Sequence, residues 1–129
     1  MDDCILVWTH GEVNLLKFIE HCNEQHPNIH FTWESTAQGR PVSYMDLETT
    51  SDNNHPRYGL FQKPSDSGVS LNFDSCVPHH VKASVATQQF RCAETFSSDS
   101  MERRRSVDKV KTLLRDNGFG EGVIQTAFN

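Results

Sequence analysis

Hydrophobic spacing in the first quarter of the chain predicts one amphipathic helix. Apolar positions follow the i, i+3, i+4, i+7 spacing of one helical face, at Leu15, Phe18, Ile19 and Cys22. The segment from Thr9 to Glu12 has the S/T-x-x-E form of a capping box, in which side chains bind the unpaired N–H groups of a helix start. Pro27 prevents continuation. These signals predict a helix over residues 10–25.

Alternation of apolar and polar residues predicts a small antiparallel sheet. Residues 29–33 alternate with the period of a strand that has one buried face. Extended, β-rich runs follow over residues 42–50 and 58–62, each after turn-forming residues. The apolar run over residues 4–8 supplies an opening strand. We expect the first helix to pack across this sheet.

The apolar spacing becomes helical from Pro78 onward. One helix is predicted after Pro78, and a second after the polar segment 97–100. Asn117-Gly118-Phe119 is typical of a helix C-terminus, and a short third helix is predicted over residues 121–128. The pattern therefore predicts the α+β class, with one helix on a small antiparallel sheet followed by about three helices.

Composition limits the class of protein. With 129 residues, 36% hydrophobic and 22% charged, the chain has the size of one domain and no apolar run that could span a bilayer. It shows no secretory signal pattern, so we expect a soluble protein inside the cell, in the nucleus or the cytoplasm. The four cysteines form no C-x-x-C pair, so neither a zinc ribbon nor a disulfide framework is indicated.

Charge is distributed unevenly along the chain. Residues 1–78 carry 4 basic and 11 acidic side chains, a net charge of −7, whereas residues 79–129 carry 8 basic and 6 acidic ones, a net charge of +2. An anionic partner is therefore expected to bind the second half. The densest basic stretch is either a solvated helix face or a phosphate-binding surface; it contains Arg103, Arg104, Arg105, Lys109, Lys111 and Arg115.

Two further clusters are candidates for metal binding. Asp2 and Asp3 are adjacent like charges, which in folded proteins form either a solvated turn or half of a metal site. Cys76 and His80 could share one ion, but no second pair at suitable spacing completes a zinc site. For Cys76 to His80 a helix-start segment is the favoured interpretation.

Several ordered motifs carry a resemblance to a known family. They are MDD before the apolar run, WTHGE, LLKFIEHCNEQHP, YMDLE, QKPSDSG and LNFDSCVPHH. In this order they resemble the C-terminal part of the reverse transcriptase of Penelope-like retroelements, from Met1 to about Ile124. The resemblance implies that residues 1–75 correspond to the end of the polymerase palm, beginning within its Y-x-D-D box. Residues 76–129 would correspond to a thumb-like, helix-turn-helix region.

The family's activity is RNA-directed DNA polymerisation with Mg²⁺. The resemblance places Asp2 and Asp3 at that family's metal-binding positions, where two ions assist phosphoryl transfer. A further aspartate and the fingers of the family's enzyme would lie before Met1. We therefore expect Asp2 and Asp3 to be an inherited doublet that is inactive in the isolated chain and binds Mg²⁺ weakly if at all.

Nucleic-acid contact is the activity that we expect the chain to retain, with RNA or an RNA/DNA hybrid as partner. The expected contact residues are Lys63, Arg91, Arg103, Arg104, Arg105, Lys109 and Lys111. Gln62 stands where the family usually has an arginine before the Lys-Pro pair, which implies weaker binding. The alternative is a protein-interaction or self-association module, in which the exposed edge of the opening strand, residues 4–8, pairs with another chain.

Overall fold

The computed structural model describes residues 3–53 and 55–129 of the chain. The chain forms two compact units, Met1–Ser35 and Thr36–Asn129. The boundary predicted between residues 75 and 76 rests on the resemblance to the palm and the thumb-like region of a reverse transcriptase. It stays a prediction. Within the described residues, no helix has the length and apolar character needed to cross a membrane.

The first unit contains one helix, α1 (Glu12–Glu24), which confirms the predicted helix to within two residues at each end. The predicted capping box is wrong. The helix is capped by Gly11, whose φ of 80° and lack of a side chain leave no capping hydrogen bond from a side chain. Instead the Leu15 N–H donates to the Gly11 carbonyl at 3.2 Å.

The strands predicted over residues 4–8 and 29–33 do not form; both segments lack regular secondary structure. The backbone N–H and carbonyl of Phe31 are hydrogen-bonded to the Asn23 side chain and not to a neighbouring strand. Asn23 Oδ1 accepts from the Phe31 N–H at 2.6 Å, and Asn23 Nδ2 donates to the Phe31 carbonyl at 3.3 Å. Alternation predicts a one-sided extended segment, but a strand also requires a backbone partner, which alternation does not reveal.

The second unit begins with a three-stranded antiparallel sheet in the order β1-β2-β3. Its strands are β1 (Val42–Tyr44), β2 (Leu47–Asp52) and β3 (His55–Leu60). The single run predicted over residues 42–50 is in fact a hairpin, because Met45 adopts a φ of 55° and Tyr44 pairs with Leu47. A two-residue turn of this kind lacks the Asn-Gly or Asp-Gly signal that announces most hairpins.

Three helices complete the second unit: α2 (His79–Thr95), α3 (Ser100–Asp116) and α4 (Glu121–Phe128). All three predicted helices are confirmed. The order of one helix, a small antiparallel sheet and three further helices confirms the predicted α+β class.

The hydrophobic core of the second unit lies among these three helices. Its buried residues are Ala86, Phe90, Ala93, Val107, Val110, Leu114, Phe119 and Ile124. Leu60, from the end of β3, packs against this core together with Phe73. Burial of apolar surface therefore joins the sheet and the helices into one unit.

Candidate nucleic-acid interface

The turn between α3 and α4 has a glycine-based C-cap. Gly118 adopts a φ of 82°, and its N–H donates to the Arg115 carbonyl at 2.9 Å. The Phe119 N–H donates to the Leu114 carbonyl at 3.0 Å, and the Phe119 ring is 4% exposed. This is the pair of hydrogen bonds and the apolar contact of a Schellman motif, which fixes the direction in which α4 leaves α3.

Asn117 anchors the segment that precedes α2 to the same turn. Its side chain is buried; Nδ2 donates to the Gly68 carbonyl at 2.7 Å, and Oδ1 accepts from the Ser70 N–H at 3.0 Å. The sequence identified Asn117 as a helix stop only. Its second role depends on residues nearly fifty positions away, so no local signal could have revealed it.

The outer edge of β3 is covered by α3 and the residues before it. Tyr58 exchanges two hydrogen bonds with Ser98, one of 3.1 Å from its N–H to Oγ and one of 2.9 Å from the Ser98 N–H to its carbonyl. The Leu60 N–H donates to Ser106 Oγ at 3.2 Å, and the Leu60 carbonyl accepts from Lys109 Nζ at 2.7 Å. The N–H and carbonyl groups of Tyr58 and Leu60 at this edge are therefore hydrogen-bonded. The Lys109 ammonium group is bound to the Leu60 carbonyl.

Arg57 joins β3 to the start of α3 by ion pairs. Its guanidinium lies 3.1 Å from Asp99, 3.5 Å from Glu102 and 3.7 Å from Asp52. Asp99 also caps α3, accepting from the N–H groups of Met101 and Glu102 at 2.8 and 3.0 Å. The hydrogen bond from the Glu102 N–H, followed by the one from Arg57, lowers the pKa of Asp99 against the opposing effect of desolvation.

The three consecutive arginines of α3 point in different directions, because neighbouring helical residues are rotated by about 100°. Arg105 lies 3.3 Å from Glu48 of β2 and 3.7 Å from Glu102. Arg103 and Arg104 are exposed, and neither forms an ion pair with any residue that the structure describes. Of the three arginines, only Arg105 is paired with a residue that the structure describes.

The other predicted contact residues also divide into free and engaged side chains. Lys63 and Arg91 are exposed and form no ion pair within residues 3–53 and 55–129. Lys111 Nζ lies 4.7 Å from the centroid of the Phe128 ring, where a cation–π contact holds it against α4. The sequence could not separate these cases, since the partners come from other elements.

A groove of about 680 Å³ runs between the outer face of α3 and the segment 62–68. Its lining includes Arg104, Arg105 and Lys109 from α3. Gln62 lines it from the segment 62–68, and Met101 adds an apolar side chain that is 63% exposed. Two acidic residues of α3, Asp108 and Asp116, line it as well. The groove thus carries Arg104 and Arg105 toward the N-terminal end of α3, Asp108 and Lys109 near its middle, and Asp116 at its C-terminal end.

The surface of α4 has a different character. None of its eight residues is basic, and its first residue, Glu121, binds Arg115 through two hydrogen bonds of 2.5 and 3.2 Å. This hydrogen bonding, with the Coulombic attraction that accompanies it, raises the pKa of Arg115 and lowers that of Glu121. The Arg115 guanidinium is therefore paired with a carboxylate of α4.

The predicted metal-binding residues do not form a site that the structure can document. Asp2 lies outside the described residues, and Asp3 is exposed and belongs to no helix or strand. Among the described residues, no three histidine, cysteine, aspartate or glutamate side chains are grouped so as to hold a metal ion. The described residues therefore offer Mg²⁺ no grouped set of carboxylate ligands. The segment from Cys76 to His80 leads into α2, as the helix-start interpretation predicted.

Comparison with known families gives a match for the helical part of the second unit. No curated protein and no solved structure matches the chain. Residues 69–129, which contain α2, the connection to α3, the Schellman turn and α4, match the animal helix-turn-helix domain.

Proposed function

We propose that the chain is a nucleic-acid-binding protein that works inside the cell and contacts phosphates through its second unit. The observation that carries this proposal is that the part of the chain matching a helix-turn-helix domain includes arginines of α3 that form no ion pair with a described residue. Arg103 and Arg104 are exposed and lie within residues 69–129, the part of the chain that matches the helix-turn-helix domain. Contacts between arginine and phosphate supply affinity without reading sequence.

The finer part of the proposal concerns the partner. The ordered motifs that resemble the reverse transcriptase of Penelope-like retroelements favour an RNA/DNA hybrid or RNA as the nucleic acid. In this account the chain is a non-catalytic relative of the palm and thumb, and Asp2 and Asp3 are an inherited doublet. What it retains is contact with the template–primer backbone.

Salt-dependent binding tests this function. The association constant of the full chain for a fluorescein-labelled RNA/DNA hybrid should fall steeply as salt rises, because phosphate binding releases counterions. Replacing Arg103 and Arg104 together by alanine should reduce the slope of log K against log salt by about 2, since each lost phosphate contact removes about 1. Lys17→Ala/Arg40→Ala, which removes two exposed cations ahead of β1, is the charge-matched control and should leave the slope unchanged. Binding without salt dependence would contradict the proposal.

A second candidate function is a protein-interaction or self-association module. It is favoured by the first unit, in which large apolar side chains stand in solvent: Leu6 is 63% and Val7 is 88% exposed. Exposed apolar patches of this kind mark interaction surfaces. Sedimentation velocity over a range of concentrations tests it. A dimer that is lost in Leu6→Asp/Val7→Asp would support this candidate, and a monomer at every concentration would contradict it.

A further inference from the structure

We propose that the groove between α3 and the segment 62–68 is the surface that holds the nucleic-acid backbone, so that residues ahead of the helix-turn-helix match take part in binding. This inference rests on the proposed function and specifies its surface. The occupant is the sugar–phosphate backbone of one nucleic-acid strand. The contact residues are Arg104 and Arg105 on α3, with Gln62 on the opposite side.

Both sides of the groove are held in place before any ligand arrives. The segment 62–68 is attached to α3 at each end. Leu60, two residues before it, exchanges hydrogen bonds with Ser106 and Lys109 at 3.2 and 2.7 Å. Gly68, at its end, accepts from Asn117 Nδ2 at 2.7 Å. Because the groove is already formed, little conformational entropy is lost when a strand enters it.

The cations of the groove suit phosphate at one end of it. Arg104 is exposed and free of ion pairs with described residues, while Arg105 is oriented toward the sheet by Glu48 at 3.3 Å. Lys63 is exposed next to the lining residue Gln62. Arg and Lys neutralise phosphate, Gln donates to its oxygens, and the apolar Met101 side chain offers a surface for a sugar.

The surface of α4 lacks these properties. In many helix-turn-helix proteins the second helix of the motif enters the major groove of DNA. Here α4 carries no cation to neutralise phosphate, and its Glu121 already binds Arg115. Asp116, at the C-terminal end of the groove, would repel phosphate on the side that approaches α4. These charges favour the N-terminal half of α3.

Binding of one labelled RNA/DNA hybrid to three full-chain variants tests this assignment. The groove variant is Gln62→Ala/Arg104→Gln, which changes one lining residue on each side and removes one cation. The charge-matched control is Arg40→Gln, which precedes β1, the strand of the sheet that does not pair with β3. The third variant, Gln125→Ala/Thr126→Ala, alters exposed residues of α4. Circular dichroism verifies that each variant is folded, and fluorescence anisotropy at several salt concentrations gives affinity and salt slope.

The groove variant should bind about 10-fold more weakly near 0.1 M salt, and its salt slope should fall by about 1, for the one lost arginine–phosphate contact. The Arg40 and α4 variants should keep the affinity of the parent chain. If the α4 variant loses affinity while the groove variant keeps it, the groove assignment is overturned and the proposed function stands. If the parent chain does not bind the hybrid even at low salt, the proposed function fails and the groove assignment fails with it.

Discussion

Asp99 accepts four hydrogen bonds at the start of α3. One carboxylate oxygen accepts from the N–H groups of Met101 and Glu102, and the other accepts from Arg57 and Ser98 at 3.1 and 3.2 Å. A side chain that caps a helix and binds an arginine of the sheet has two functions at once. The sequence marked the polar segment before α3 but could not show the ion pair, because Arg57 lies 42 positions away.

The pH dependence of stability should reveal the charge on Asp99. Its folded pKa is lowered, so its contribution is fully present above the unfolded pKa of about 4 and is lost as the pH falls through the folded pKa. Asp99→Asn keeps a capping oxygen but loses the charge that Arg57 binds. Thermal unfolding should therefore show Asp99→Asn less stable than the parent at neutral pH, with a smaller difference near pH 3.

Glu94→Gln is the control for this comparison, because Glu94 is an exposed carboxylate of α2. It should unfold close to the parent at both pH values. A difference between parent and Asp99→Asn that stays constant down to pH 2 would show that the charge on Asp99 has no role in stability.

At the scale of elements, the helices were predicted more closely than the strands: the predicted runs over residues 42–50 and 58–62 fall on the sheet, but those over residues 4–8 and 29–33 form no strand. The helix signals are local: apolar spacing defines α1 and α3, and Asn117-Gly118-Phe119 defines the end of α3. Strand formation depends on partners that lie elsewhere in the chain. Residues 29–33 have the alternation of a strand, yet Asn23 holds their backbone, whereas the hairpin at Met45 has no strong turn signal and forms nonetheless.

Replacing two glycines of the same region by alanine should change the stability in opposite directions, because only Gly118 has the positive φ of the Schellman turn. Gly118→Ala places a side chain at a φ of 82°, and a residue other than glycine in this conformation lowers the stability by about 1–2 kcal/mol. The cost is one of backbone conformation, because the added Cβ would lie 3.6 Å from Phe73 and meet no clash. Gly122→Ala, inside α4 with nothing within 4 Å of the new Cβ, should instead stabilise by about 0.5–1 kcal/mol. Urea unfolding of both variants measures the two effects. Equal effects of the same sign would contradict the assigned conformation of the turn.

At the scale of the whole molecule, the second unit depends on contacts between its sheet and its helices. Ser106 is 1% exposed on α3, and its Oγ accepts from the Leu60 N–H of β3 and from Ser97 Oγ at 3.1 Å. Arg57 adds the ion pairs to Asp99 and Glu102. The compact unit that contains these contacts begins at Thr36, whereas the helix-turn-helix match begins only at residue 69.

Removing the Ser106 hydroxyl should destabilise the sheet and the helices together. Ser106→Ala leaves the partly buried Leu60 N–H without its acceptor, which costs about 1–3 kcal/mol. Ser84→Ala is the matched control, because Ser84 is exposed on α2 and donates only within its own helix. Hydrogen exchange should show β3 and α3 losing protection equally in Ser106→Ala. Loss confined to β3 would show that the sheet unfolds independently.

The candidate interface was only partly predictable for the same reason. Counting charges along the chain predicts residues 79–129, whose net charge is +2, as the half that binds an anionic partner. It could not separate the free Arg104 from Arg105, which binds Glu48, or from Lys109, which binds the Leu60 carbonyl. Those partners belong to the sheet. The groove formed by α3 and the segment 62–68 emerges only once the fold joins residues about forty positions apart.

The most direct test of the central claim is an NMR titration of the isotope-labelled full chain with a short RNA/DNA hybrid. Binding through the proposed surface predicts amide shift changes concentrated in the first half of α3, from Met101 to Lys109, and in the segment 62–68. These changes should disappear at high salt, because they arise from phosphate contacts. Shift changes confined to α4 or to residues 3–35, or none at all, would contradict the account.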